Sequence, residues 1–334
     1  MSSILYILNI SKDPRFTAAA NLMTEIMTVS RLNYKPDLIK MKNVCPLPAI
    51  PSTFNTSFEE VCILRSESIW KEKSRDKSIN IFWSGGIDST AALVGLIKTQ
   101  PSKHAIRVYC NLNSILENNY FYKLILKNEN TYLYNSSLIN TPEKMTMITG
   151  ELGDQVFGSD LLFRISSLLG FDNLFSPYMD VIPKLFASKC GAEQSDYLYQ
   201  RYEPIVAECP FKISTAFDFV WWWNFTQKWQ CVKYRKHSLV NPNINPIHFF
   251  ESDDFQLWSL FNHEKKIGTK IETYKMPAKE FIYSFDKNNT YMEKKKKYGS
   301  PFGNKRHFYA LLEDGTKINT WSDCNYLIEQ NKLI

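Results

Sequence analysis

Features that would assign a chain to a membrane, a secreted scaffold or a zinc module are missing from this sequence. No run of about 18 apolar residues exists for a membrane span, and Met1-Ser2-Ser3-Ile4 opens without the basic segment and long apolar stretch of a secretory signal. The seven cysteines (Cys45, Cys62, Cys110, Cys190, Cys209, Cys231 and Cys324) form an odd set with no two-residue spacing and no neighbouring histidine cluster. That excludes zinc-finger spacing, and they read as reduced thiols. His104, His237, His248, His263 and His307 are scattered, without a companion at metal-ligand spacing. Charge of one sign is also scarce: 40 Lys+Arg against 34 Asp+Glu leave a formal +6. Such an excess attracts anionic ligands such as nucleotides but is too small for a nucleic-acid footprint. The expectation is a soluble cytoplasmic protein without a membrane partner.

What is present is the composition of a globular chain. The 334 residues are 44% hydrophobic and 22% charged, enough to bury a sizeable core and to divide into about two domains. Residues 4–10 read as a strand and the stretch around Ala18, Leu22 and Met27 as a helix. Pro46, Pro48 and Pro51 then interrupt residues 44–56, the best linker candidate. A small α/β segment, 1–56, is thereby set apart from a larger domain, 57–334. Residues 57–73 carry a helical pattern, 79–83 a short apolar strand, and 89–98 a second helix. Further strands are expected at 106–110 and 145–149. Strands interleaved with helices imply an α/β fold with a parallel sheet flanked by helices. Beyond Leu161 the chain becomes largely helical and aromatic, and Trp221, Trp222 and Trp223 at helical spacing read as core rather than as a base-stacking platform.

Between the 79–83 strand and the 89–98 helix lies Ser84-Gly85-Gly86-Ile87-Asp88-Ser89. A glycine turn there lets backbone N–H groups approach phosphate oxygens, and the helix N-terminus adds partial positive charge. Ser84, Gly85, Gly86 and Ser89 suit that task. The Gly-Lys-Ser/Thr ending of a Walker A loop is absent, so enzymes that cleave between the β- and γ-phosphates match poorly. Asp88 would repel phosphate unless a cation lay between them, and Mg²⁺, which takes carboxylate, phosphate and water oxygens, resolves the conflict.

A strand followed by Ser-Gly-Gly-Ile-Asp-Ser resembles the signature of the N-type ATP pyrophosphatases. A second stretch, Thr149-Gly150-Glu151-Leu152-Gly153-Asp154-Gln155-Val156-Phe157-Gly158, is similar to the Thr-Gly-Glu-Gly-x-Asp-Glu-Leu-Phe-Gly motif of asparagine synthetases and β-lactam synthetases. The resemblance implies an adenine nucleotide α-hydrolase-like fold with ATP and Mg²⁺ as cofactors. It places Gly150 at the nucleotide, Asp154 beside Asp88 as the second metal carboxylate, and Glu151 near the reacting acyl group. The segment from Lys275 is similar to that family's Lys-Tyr-Leu-Leu-Arg helix. Lys295, within Lys294-Lys295-Lys296-Lys297-Tyr298-Gly299-Ser300-Pro301, aligns with its catalytic lysine. Taken as composition alone, the same run is a solvated charge cluster.

Only about 77 residues precede the phosphate-loop strand, and no N-terminal cysteine nucleophile begins them, so the family's glutaminase activity is expected to be absent. The resemblance then implies adenylation of a substrate carboxylate with release of AMP and pyrophosphate, followed by attack of ammonia or an amine. Gln155 departs from the family's second acid. Two rival readings stand beside the ligase: a nucleobase- or tRNA-modifying ATP pyrophosphatase, and an ATP-binding regulatory protein with weakened catalysis.

Overall fold

The computed structural model describes residues 2–9, 11–23, 27–73, 78–102, 104–128, 130–135, 144–239, 242–293 and 306–333. Its strands, in chain order, are β1 (Ile4–Ile7), β2 (Ser78–Phe82), β3 (Ala105–Cys110), β4 (Thr131–Asn135), β5 (Met145–Thr149), β6 (Ile244–His248), β7 (Ala310–Leu312) and β8 (Lys317–Ile318). They make two sheets in two compact units. One unit comprises Pro48–Phe157 with Leu239–Lys305; the other comprises Met1–Leu47, Gly158–Ser238 and Arg306–Ile334. The chain therefore passes from one unit to the other four times, first within the proline-rich stretch, and ends in the unit in which it began.

The first of these units is an α/β layer structure. Its sheet runs β4-β3-β2-β5-β6, with every pairing parallel. The apolar run Ile79, Ile81 and Phe82 is buried, as a central parallel strand covered on both faces requires. The Phe58–Glu72 helix begins at a capping box: the Ser57 hydroxyl accepts from the Glu60 N–H while the Glu60 carboxylate accepts from the Ser57 N–H. It packs against the Ile87–Lys98 helix, as does the Met276–Asp286 helix. An aromatic cluster of Phe58, Phe157, Phe255 and Trp258, with ring centroids 5.0–5.7 Å apart, joins the Phe58–Glu72 helix to the Gly153–Phe157 and Asp253–Phe261 helices.

Strand β6 escapes a reading by pattern because Pro246 lies inside it. The structure explains why proline is tolerated there: β6 is an edge strand, and Pro246 faces Met147 across a ladder that needs donors on one side only.

In the second unit β1 pairs antiparallel with β7, and β7 with β8. The N-terminal strand thus finds its neighbour about 300 residues along the chain. The Ala216–Gln227 helix is buried nearly all round, including Trp221, Trp222 and Trp223. The indole N–H of Trp222 donates to the Ile205 carbonyl at 2.9 Å, so these rings are core. All seven cysteines are free thiols. Among the described residues no helix is long and apolar enough to cross a membrane.

Candidate functional site

The sheet order locates the site before any side chain is considered. From β2 the chain proceeds to β3 and β4 on one side, then returns to place β5 on the other side of β2. The connections leaving β2 and β5 therefore diverge at their carboxyl ends, the switch point where parallel α/β sheets bind ligands. The loop after β2 is Trp83 to Gly86 and the loop after β5 starts at Gly150, the two motifs that stand out in the sequence.

The first loop is held by its own serines. Ser84 Oγ lies 2.8 Å from Ser89 Oγ, the Ser84 N–H donates to Ser89 Oγ at 3.1 Å, and the Gly86 N–H donates to Ser84 Oγ at 3.2 Å. No side chain caps the helix that begins at Ile87. Gly85 has φ +76°, and a β-carbon there would stand 2.3 Å from the Ser114 carbonyl oxygen, so no other residue fits. The Tyr291 hydroxyl, from the Asn289–Glu293 helix, donates to the Gly85 carbonyl at 2.9 Å. Burial pushes the Tyr291 phenol well up from its ordinary pKa, which keeps it a proton donor.

The second loop lies directly on the first. A β-carbon on Gly150 would come within 2.5 Å of the Ser89 nitrogen, and one on Gly153 within 2.4 Å of the Asp88 carboxyl carbon. Between them Leu152 adopts left-handed backbone, φ 73°, although its side chain is buried. The motif that this stretch resembles carries glycine at that place, and the strain is the kind that folds retain where a loop must take one shape. Thr149 anchors the turn: its hydroxyl accepts from the Glu151 N–H at 3.3 Å and meets His248 Nδ1 at 2.7 Å. His248 is fully buried on β6.

At the centre, one ammonium joins both predicted metal carboxylates. Lys275 Nζ lies 2.8 and 2.6 Å from the two Asp88 carboxylate oxygens and 2.7 Å from Asp154 Oδ1. The lysine side chain is 6% exposed, Asp88 21% and Asp154 50%, so the cluster opens on the Asp154 side. Burial alone would lower the Lys275 pKa, but Asp154 and then Asp88 outweigh it and hold the ammonium above the ordinary lysine value. Its backbone is left-handed, φ 61°, and its N–H donates to the Lys266 carbonyl at 2.9 Å. The aromatic walls are Tyr274 and Phe157, with ring centroids 5.5 and 5.9 Å from Nζ.

No family model matches this chain, and no curated protein does either. The site is therefore defined by its own geometry. Ser84, Gly85, Gly86, Asp88, Ser89, Gly150, Glu151 and Asp154 all lie in the two abutting loops or in the first turns of the helices that follow them. Lys295 lies outside the described residues. Lys275, which opens the segment likened to the Lys-Tyr-Leu-Leu-Arg helix, Thr149, which opens the second motif, and Tyr291 and His248 join the site without a role having been assigned to them. For Lys275 a signal existed, a lysine immediately before Met276-Pro277 at a helix start, but nothing in a sequence says that this start faces residue 88. Among the described residues no group of three or more His, Cys, Asp or Glu gathers as a metal cage. Two carboxylates converging on one cation are a different arrangement: they supply part of a hard-oxygen shell and leave the rest to a ligand and water, which suits Mg²⁺.

Proposed function

We propose that this chain is an ATP-dependent carbon–nitrogen ligase of the N-type ATP pyrophosphatase kind, related to the synthetase domain of asparagine and β-lactam synthetases. The observation that carries the proposal is the convergence of Asp88 and Asp154, from motifs 66 residues apart, on the single ammonium of Lys275. A buried cation beside a glycine turn and an uncapped helix start suits a polyphosphate.

Asp88 and Asp154 would hold Mg²⁺, which when bound supplies neutralisation of the charge on departing pyrophosphate. Gly85, Gly86 and Ser89 bind phosphate oxygens through N–H groups and a hydroxyl. A carboxylate oxygen of the substrate bonds to the α-phosphorus as the bond to the bridging oxygen breaks, and pyrophosphate leaves with that electron pair. Ammonia or an amine then bonds to the acyl carbon and gives up a proton, and AMP leaves. Glu151, fixed by Thr149, orients the acyl group, and Lys295 balances charge on the phosphate and the tetrahedral intermediate.

The test is product analysis with ATP, Mg²⁺, ammonium and a panel of carboxylic acids and amines, followed by cell-extract metabolites. Equimolar AMP and pyrophosphate with a new amide is the expected result. ADP and phosphate would exclude the class. AMP release stimulated by RNA or a free nucleotide would move the acceptor to a nucleobase, and nucleotide binding without turnover would favour a regulatory protein.

A further inference from the structure

The position of Lys275 bears on the order in which ligands bind. An ammonium has three N–H donors, and here three carboxylate contacts engage them: Asp88 Oδ1, Asp88 Oδ2 and Asp154 Oδ1. Both Asp88 oxygens and one Asp154 oxygen already face the ammonium, so a divalent ion placed between the acids competes with it for that position. We infer that Lys275 is a resident cation that keeps free divalent metal out of the site until a nucleotide arrives and its phosphates draw the ammonium away. This rests on the reading of Asp88 and Asp154 as metal ligands.

The physical argument is one of charge and reach. The ammonium offsets the repulsion between two carboxylates that converge on one point. A lysine supplies it from a four-carbon stem that can swing while its backbone stays still. The Lys275 backbone is tethered by its N–H to Lys266, and the side chain is buried while Asp154 is open to solvent. A nucleotide adds phosphate oxygens that offer the ammonium new partners, and metal on those phosphates then takes over both aspartates. Metal and nucleotide thus bind with positive coupling, a free-energy linkage between two ligands of one site. Free Mg²⁺ would otherwise clamp the acids before the nucleotide entered.

Mn²⁺ binding followed by electron paramagnetic resonance tests this with no nucleotide present, on wild type, Lys275→Met and Lys275→Arg. Wild type should bind Mn²⁺ weakly, Lys275→Met at least about tenfold more tightly, and Lys275→Arg as weakly as wild type, the span of ordinary linkage effects. Mn²⁺ should also raise the melting temperature of Lys275→Met while leaving that of wild type unchanged. In calorimetry, Mn²⁺ should tighten wild-type binding of α,β-methylene-ATP, which cannot be split between its first two phosphates. Tight binding of Mn²⁺ alone to wild type, or Lys275→Met no tighter than wild type, overturns the inference. The wild-type arm decides it even if Lys275→Met fails to fold. A separate arm tests the underlying reading. If Asp88→Asn with Asp154→Asn leaves Mn²⁺ binding in the presence of α,β-methylene-ATP intact, the acids are not the ligands and the proposed function fails with the inference. If that double variant abolishes Mn²⁺ binding while wild type binds Mn²⁺ tightly without nucleotide, the inference alone fails.

Discussion

The Tyr291 hydroxyl donates to the Gly85 carbonyl at 2.9 Å, across 206 residues of chain. This bond ties the short Asn289–Glu293 helix to the one residue of the turn at 84–89 that no side chain could replace. Tyr291→Phe removes the donor and leaves the ring in place. The expected outcome is a loss of about 1 kcal/mol of stability, as for a buried neutral hydrogen bond, and weaker binding of α,β-methylene-ATP by roughly threefold to tenfold. Thermal melts and titration calorimetry measure the two effects.

Gly153→Ala tests the abutment of the loops. Its new methyl group would lie 2.4 Å from the Asp88 carboxyl carbon, so the carboxylate or the turn must move, and close-packed interiors yield poorly. The variant should keep its circular dichroism spectrum while AMP release falls at least about a hundredfold, the scale on which a displacement of about 1 Å acts.

Leu152 sets two effects against each other. Glycine would relieve the left-handed backbone, worth about 1–2 kcal/mol, but would delete a side chain that is 1% exposed, at a cost of about 2–5 kcal/mol, with a further 0.5–1 kcal/mol, roughly, for glycine's chain entropy. Burial wins. Leu152→Gly should be less stable than wild type by roughly 0.5–5 kcal/mol, read from urea midpoints; a more stable variant would show that backbone strain governs this turn.

Asp37, in the unit that holds β1, gives a pH prediction. Burial pushes its carboxyl up from 3.8 to about 7, with the Ser30 N–H donating to Oδ1 at 3.0 Å as the main opposing influence. Between those two values the folded protein holds a proton that the unfolded chain has lost, so stability falls as pH rises from about 4 to about 7 and levels off above. A rise of that size corresponds to at most roughly 4 kcal/mol. Asp37→Asn should flatten the dependence of melting temperature on pH across this window. An unchanged slope would assign the dependence to other groups.

Legibility in the sequence followed the range of the interactions involved. β5 falls at the expected residues, and β2, β3 and the helices at 58–72 and 87–98 fall within a residue or two of expectation, because apolar runs, a capping box and a glycine turn act over a few neighbours. β4, β6, β7 and β8 carry weaker local signals: β4 is an edge strand with Tyr132 and Tyr134 exposed, β6 contains Pro246, and β8 is two residues long.

By itself the sequence determined the two loops: Ser84, Gly85, Gly86, Asp88 and Ser89 in one, Gly150, Glu151 and Asp154 in the other, each shaped by glycines and hydroxyls close along the chain. That these loops touch was implied only by a resemblance; the tertiary structure decided it, because burial of Ile81 and Ile148 on adjacent strands sets β5 beside β2. It likewise decided that Lys275, 187 residues beyond Asp88, supplies the cation between them. Local pattern reports backbone preference over a few residues, whereas the partner of a buried charge is settled by which distant segments pack over it, and desolvation then makes that partner obligatory.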